Sequence, residues 1–87
     1  MWTVKTKNKQ LKNLNKLPQD VRSLFAMLER DLKIYGPEQV KWKNYSKLEG
    51  NKYHCHLNYR YVACWTAEKE TITIEVYYVG SREKAPY

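Results

Sequence analysis

The stretch "KYHCHLNYRYVACWTAEKETITIEVYYV", residues 52–79, decides the fold. It holds three runs rich in branched and aromatic residues, at 52–57, 60–67 and 71–79, separated only by Asn58 and Tyr59 and by the segment 68–70. Joins this short leave no room for a crossover, so the runs predict an antiparallel meander whose first turn is a tight hairpin. Strand residues alternate sides, which groups Tyr53, Cys55 and Leu57 against Lys52, His54 and His56. Cysteine and leucine prefer a core. Both histidines of the chain are therefore expected on the opposite face, open to a ligand. Arg60 falls close to this row if the hairpin pairs in register, and a slip of one residue turns it away. In the last run Ile72, Ile74, Val76 and Tyr78 alternate with Thr73, Glu75 and Tyr77, giving one apolar face and one mixed face.

Upstream, "WTVKTK" (residues 2–7) alternates as a short strand, and Asn8 is suited to cap a helix. Leu11, Leu14 and Leu17 form an apolar stripe that Pro18 interrupts. Proline disfavours helical geometry in the residue before it yet fits the first turn of a helix, so the chain is expected to break and restart there. Val21, Leu24, Phe25, Leu28 and Leu32 then repeat at three and four, the pattern of a helix with one buried side, and Gly36 with Pro37 supplies its stop. "QVKWKNYSK" (residues 39–47) has no clean period and reads as a basic, aromatic-bearing loop, with Gly50 and Asn51 turning into the next strand. The order β-α-α-β-β-β predicts an α+β domain spanning 1–87, a helix pair packed on one face of an antiparallel sheet.

The composition agrees. Sixteen Lys and Arg against nine Asp and Glu give a net charge of +7, while 43% of residues are apolar and 14% aromatic. That describes a folded domain with a basic surface rather than a disordered basic tail. Such a surface attracts polyanions, above all nucleic acid. Lys5, Lys7, Lys9, Lys12 and Lys16 precede the first acid, Asp20, and form either a solvated helix face or a binding surface. No apolar run approaches a membrane span and no signal-peptide pattern is present, so a cytoplasmic protein is expected. Cys55 and Cys64 lie inside strand runs and read as reduced, buried residues.

Two histidines on one strand face admit three readings. They can be plain surface residues. They can ligate a metal, although the third ligand would have to be Cys64 or Glu75, neither at a standard spacing. They can handle protons, since the pKa of imidazole lies near neutrality. RNA cleavage by its own 2′-hydroxyl needs a base, an acid and cations for the phosphorane charge, and His54, His56, Arg60 and Arg82 supply such a set. Lys47, Lys52, Lys84 and Trp42 are the accompanying candidates for RNA contact. A basic module that binds RNA without chemistry, stacking bases on Trp42, Tyr45 and Tyr59, is a rival.

The tail "VYYVGSREKAPY" adds a glycine after an apolar strand, an arginine soon after and a terminal tyrosine. With "KNLNKLPQDV", "NYSKLEGNKYHCHL" and "RYVACW", in this order across nearly the whole chain, it resembles the RelE/ParE toxin superfamily, and more closely its RelE-like branch of mRNA interferases. The resemblance implies a toxin of a type II toxin-antitoxin system that cuts mRNA in the ribosomal A site, without metal or other cofactor. It implies a cognate antitoxin as partner and neither membrane nor direct DNA binding. By position it assigns proton transfer to His54 and His56, phosphate binding to Arg60 and Arg82, and base stacking or orientation to Tyr87. A ParE-like inhibitor of DNA gyrase shares the fold, but has no use for the histidine pair and terminal tyrosine.

Overall fold

The computed structural model describes residues 1–87. β1 (Thr3–Thr6) leads into α1 (Asn8–Leu14), then α2 (Gln19–Tyr35), β2 (Ser46–Lys47), β3 (Lys52–His56), β4 (Tyr61–Glu68), β5 (Thr73–Ser81) and a 3₁₀ turn, Arg82–Lys84. The strands form one five-stranded sheet in the order β1-β5-β4-β3-β2. β2 to β5 are antiparallel neighbours, as the short joins require. The expectation of a wholly antiparallel sheet is corrected at one edge: β1 runs parallel to β5, Thr3 opposite Thr73 through Thr6 opposite Val76. Both helices and β2 to β4 lie between these two strands in sequence, so the parallel pair has the long connection it needs.

α2 carries the core on one side. Val21, Phe25, Leu28 and Leu32 are buried against Tyr53, Cys55 and Leu57 of the β3 segment, Ala63, Trp65 and Ala67 of β4, and Ile74, Val76 and Val79 of β5. Tyr45, Tyr53 and Trp65 stack with centroids 6.2–6.4 Å apart, and the Trp65 indole donates to the Pro37 carbonyl at 3.1 Å. The one polar atom of that ring is thereby satisfied. Gly36 ends α2 at φ 89°, and a Cβ there would lie 2.8 Å from Trp2 Nε1. Only glycine meets both conditions.

α1 differs from its expected stripe. Asn8 is the first helical residue, Lys7 holds the cap position, and no side chain caps the helix. Leu11 is exposed, whereas Gln10 is buried. The reason lies in β5, which extends beyond its pairing with β1. Gln10 Oε1 accepts from the Val79 amide at 3.0 Å and Asn13 Nδ2 donates to the Val79 carbonyl at 2.8 Å. These side chains replace a missing strand and leave no bare sheet edge.

Two further corrections concern strand boundaries. The first hairpin loop spans 57–60, so Arg60 precedes β4 rather than opening it. Asn58 Oδ1 accepts from the amides of Arg60 and Tyr61, closing the loop without glycine. In β5 the simple alternation breaks, because Cys64 pairs with Tyr78 and Trp65 with Val76, leaving Tyr77 as a bulge. The core positions are consequently Ile74, Val76 and Val79, while Ile72 is exposed and outside the strand. Cys55 and Cys64 are free and buried, on opposite faces of adjacent strands.

Candidate functional site

The face turned away from α2 is built by alternation. Lys52, His54 and His56 share it on β3, and the register sets Thr66, Cys64 and Val62 beside them on β4. Both imidazoles are on this face as expected, but they are not open: each is only 8% exposed. Three segments cover them. Ser46, paired with His54 across β2 and β3, brings its Oγ to 3.0 Å from His54 Nδ1. Asn44 Nδ2 approaches His56 Nδ1 at 3.4 Å, and the His56 amide donates to the Lys43 carbonyl at 2.8 Å. Asn44 sits at φ 52°, a left-handed conformation that asparagine tolerates better than most residues. The tail folds back, and the Tyr87 ring lies 4.3 Å from that of His54.

The two imidazoles have centroids 5.8 Å apart. Burial lowers the His54 pKa first, proximity to His56 lowers it further, and a hydrogen bond with Ser46 opposes both. Burial also leads for His56, followed by the positive charges of Arg82 and Lys43. Both rings are thus held neutral at neutral pH. The Tyr87 phenol is pushed up by burial, then by nearby Cys64, with Arg82 acting in the opposite direction. Beneath lies a closed layer: burial pushes the Cys64 thiol to about 11, and the Tyr77 phenol to about 12. Neither is a thiolate or phenolate at neutral pH.

Arg60 and Arg82 meet each other, and Arg82 lies near enough to His56 to lower its pKa. The Arg82 amide donates to the Arg60 carbonyl at 2.7 Å, and both residues line a surface cavity of ≈ 480 Å³ with Tyr59, Tyr61, Ser81 and Glu83. Salt bridges join Lys7 to Glu75 and Lys69 to Glu38, so neither guanidinium is tied up in an ion pair. Lys84 is exposed in the same 3₁₀ turn, and Lys52 extends over the Tyr77 ring at 6.0 Å. The remaining candidates lie elsewhere. Lys47 sits on β2 with its ammonium 5.9 Å from the Tyr53 ring, on the side that carries the core. Trp42 donates its indole N–H to Asp31 Oδ2 at 2.9 Å and packs on the core beside α2. It does not join the histidines.

Lys43, Asn44 and Ser46 belong to the site and escaped the sequence reading, because the loop "KWKNYSK" has no period to place them. Its signal was composition: three lysines and two small polar residues shortly before a strand that carries both histidines. Nowhere in the chain do three His, Cys, Asp or Glu side chains converge as a metal-binding group. No helix is long and apolar enough to cross a membrane.

The sequence matches no protein-family model and no curated relative. Its fold, by contrast, has clear counterparts among solved structures. One is the archaeal RelE–RelB complex from Pyrococcus horikoshii, 23% identical, covering 97% of this chain and 98% of that one at a TM-score of 0.84. Another is the isolated Escherichia coli RelE toxin, 19% identical, with coverages of 99% and 89% and a TM-score of 0.77. A third, described as a metal-bound toxin from Helicobacter pylori, is 26% identical over 97% and 98% of the two chains at a TM-score of 0.74. The fold is that of the RelE-like toxins, an α+β arrangement of helices packed on a five-stranded sheet.

Proposed function

We propose that this chain is the toxin of a toxin-antitoxin pair and acts as a ribosome-dependent endoribonuclease on mRNA. The observation that carries the reading is the neutral histidine pair beside an unpaired Arg82 and beneath the Tyr87 ring. A neutral imidazole accepts a proton; free guanidinium groups receive a phosphodiester. The shared fold supports the toxin assignment, since its counterparts include toxins solved with their antitoxins.

In this mechanism the 2′-hydroxyl of one nucleotide attacks the adjacent phosphorus. The new 2′-oxygen to phosphorus bond forms as the bond to the 5′-oxygen breaks, leaving a cyclic phosphate and a free 5′-hydroxyl. His54 takes the 2′-hydroxyl proton: in the tautomer whose Nδ1–H donates to Ser46 Oγ, 3.0 Å away, the Nε2 lone pair is available. His56 returns a proton to the departing 5′-oxygen. In the free protein burial first, then the charges of Arg82 and Lys43, keep His56 neutral, and a bound phosphate anion offsets those charges, which favours the protonated ring. Arg60 and Arg82 stabilise the phosphorane, and Tyr87 orients a base. Arginine stays protonated and is a poor proton donor, which leaves proton transfer to the histidines. Lys52 and Lys84 add phosphate contacts. The partner that silences the toxin is an antitoxin able to cover this basic face.

The test is induced expression with RNA ends mapped on ribosomes. Cuts within codons, lost in the His54→Ala/His56→Ala double variant, support the reading. Undiminished cutting by that variant would end it.

A further inference from the structure

The cavity lined by Arg60 and Arg82 has a further wall, Tyr59, with no part in proton transfer or phosphate binding. Tyr59 is 71% exposed at the tip of the loop, yet it is not loosely held. Its neighbours on both sides are fixed: Asn58 Oδ1 accepts from the Arg60 and Tyr61 amides, and the Arg60 carbonyl accepts from the Arg82 amide. The Arg82 guanidinium stands 4.9 Å from the ring centroid. A large aromatic at a loop tip with most of its surface in water gains little for the fold, while a pre-positioned ring loses little entropy on binding. Arg82 also acts electrostatically on His56, so one guanidinium links the Tyr59 ring to the histidine pair. Tyr87 contacts the pair separately, at His54. Two aromatic rings thus accompany the imidazoles and the unpaired guanidinium groups.

We propose that Tyr59 is a stacking platform for a nucleobase of single-stranded RNA, seated in the Tyr59–Arg60–Arg82 cavity and distinct from the base oriented by Tyr87. A base on the ring with its phosphate on Arg60 and Arg82 satisfies both parts of a nucleotide. The two tyrosines then hold nucleotides on either side of the scissile phosphate, and the splayed strand presents the 2′-hydroxyl for in-line attack. This assignment deepens the ribonuclease reading and rests on it, but stacking is measurable without cleavage.

The experiment uses the full chain and ribosomes programmed with mRNAs that each carry one 2-aminopurine in or next to the A-site codon. On the His54→Ala/His56→Ala background, one position is expected to lose fluorescence on binding. Tyr59→Ala restores that fluorescence, whereas Tyr59→Phe and Tyr59→Trp preserve the quench. In the active protein, Tyr59→Ala raises KM by about fivefold to 150-fold with kcat little changed, and Tyr59→Phe behaves as wild type; the range follows from about 1–3 kcal/mol per stacked base. A fall in kcat shared by the Phe variant would assign Tyr59 to chain positioning and overturn the proposal. If the wild type cuts RNA but no quench or KM depends on Tyr59, the stacking site alone fails. Tyr59-dependent quenching in a protein that never cuts would retain the stacking site and remove the catalysis. Neither quenching nor cutting would remove both.

Discussion

The two faces of the sheet have the same strands but are covered in different ways. On one, a seventeen-residue helix seals Tyr53, Cys55, Ala63 and Trp65 with apolar side chains. On the other, a loop and a short tail lie over His54 and His56, and the cover consists of Ser46, Asn44 and the terminal Tyr87. The first cover is built to stay. The second buries titratable rings under polar side chains and a tyrosine that is itself half exposed, the kind of cover that opens at smaller cost. Burial on the helix side is structural, whereas burial on the tail side lowers the pKa of both imidazoles.

Removing one large group from each side should separate the two faces most strongly. His54→Ala or His56→Ala is expected to lower cleavage about a hundredfold to ten-thousandfold, the usual contribution of a positioned acid or base. The cost in stability should be about 1 kcal/mol, that of a modest hydrogen bond. Trp65→Ala should reverse the pattern. It empties a fully buried indole site and is expected to cost about 3–5 kcal/mol in denaturant unfolding. Equal losses of stability on the two faces would contradict the division.

What the sequence made legible follows the same line. Local periodicity exposed α2, the meander and the helix break at Pro18, because one residue's neighbours decide those features. It also put both histidines on the correct face, since alternation within five residues of β3 needs no knowledge of the fold. Features that depend on distant partners were hidden. The parallel pairing of β1 with β5 joins residues about seventy positions apart, and the Tyr77 bulge is visible only when β5 meets β4. Tyr87 over His54 is of the same kind. Gln10 shows the point most simply: a glutamine buried next to an exposed Leu11 makes no sense until the Val79 amide it accepts from is seen.

That hidden contact gives the next test, on the edge that neither face controls. Gln10→Ala leaves the Val79 amide without its acceptor, which is expected to cost about 1–3 kcal/mol. Gln10→Glu keeps an acceptor oxygen and should lose less. Hydrogen exchange at Val79 reads the difference directly, and unchanged protection in the alanine variant would show that strand pairing suffices.

A smaller effect separates the faces by pH. Both histidines have pKa values below that of an unfolded histidine, about 6.5. The unfolded chain therefore binds more protons as pH falls, and stability that is complete above this value is lost on acidification toward the folded values. Melting temperature should drop between pH 7 and pH 5, and the drop should shrink in His54→Gln and His56→Gln. The helix-covered core contains no histidine; Glu29 on α2, its carboxyl raised by burial, acts in the opposite direction on acidification and cancels between wild type and variants. Ordinary carboxylate titration begins lower, so the difference between wild type and variants across this range isolates the imidazoles.

The smallest expected change is a gain, at a position that belongs to neither cover. Ile72 adopts φ 52° in the turn that leads into β5, and its side chain is largely exposed. A β-branched residue in the left-handed region carries strain that glycine does not, while an exposed side chain returns little burial in compensation. Ile72→Gly loses some stability to the greater freedom of the unfolded chain, but relief of the left-handed conformation outweighs it, for a net gain of up to about 1 kcal/mol. Ile72→Asn should gain part of this, because asparagine tolerates the region without adding as much unfolded freedom. Since the turn touches neither the histidines nor Tyr59, cleavage should be unaltered in both variants. A variant that melts higher yet cuts as before would show that the helix-side scaffold can be stiffened without closing the tail-side cover. A parallel loss of activity would mean that the two sides are coupled through β5.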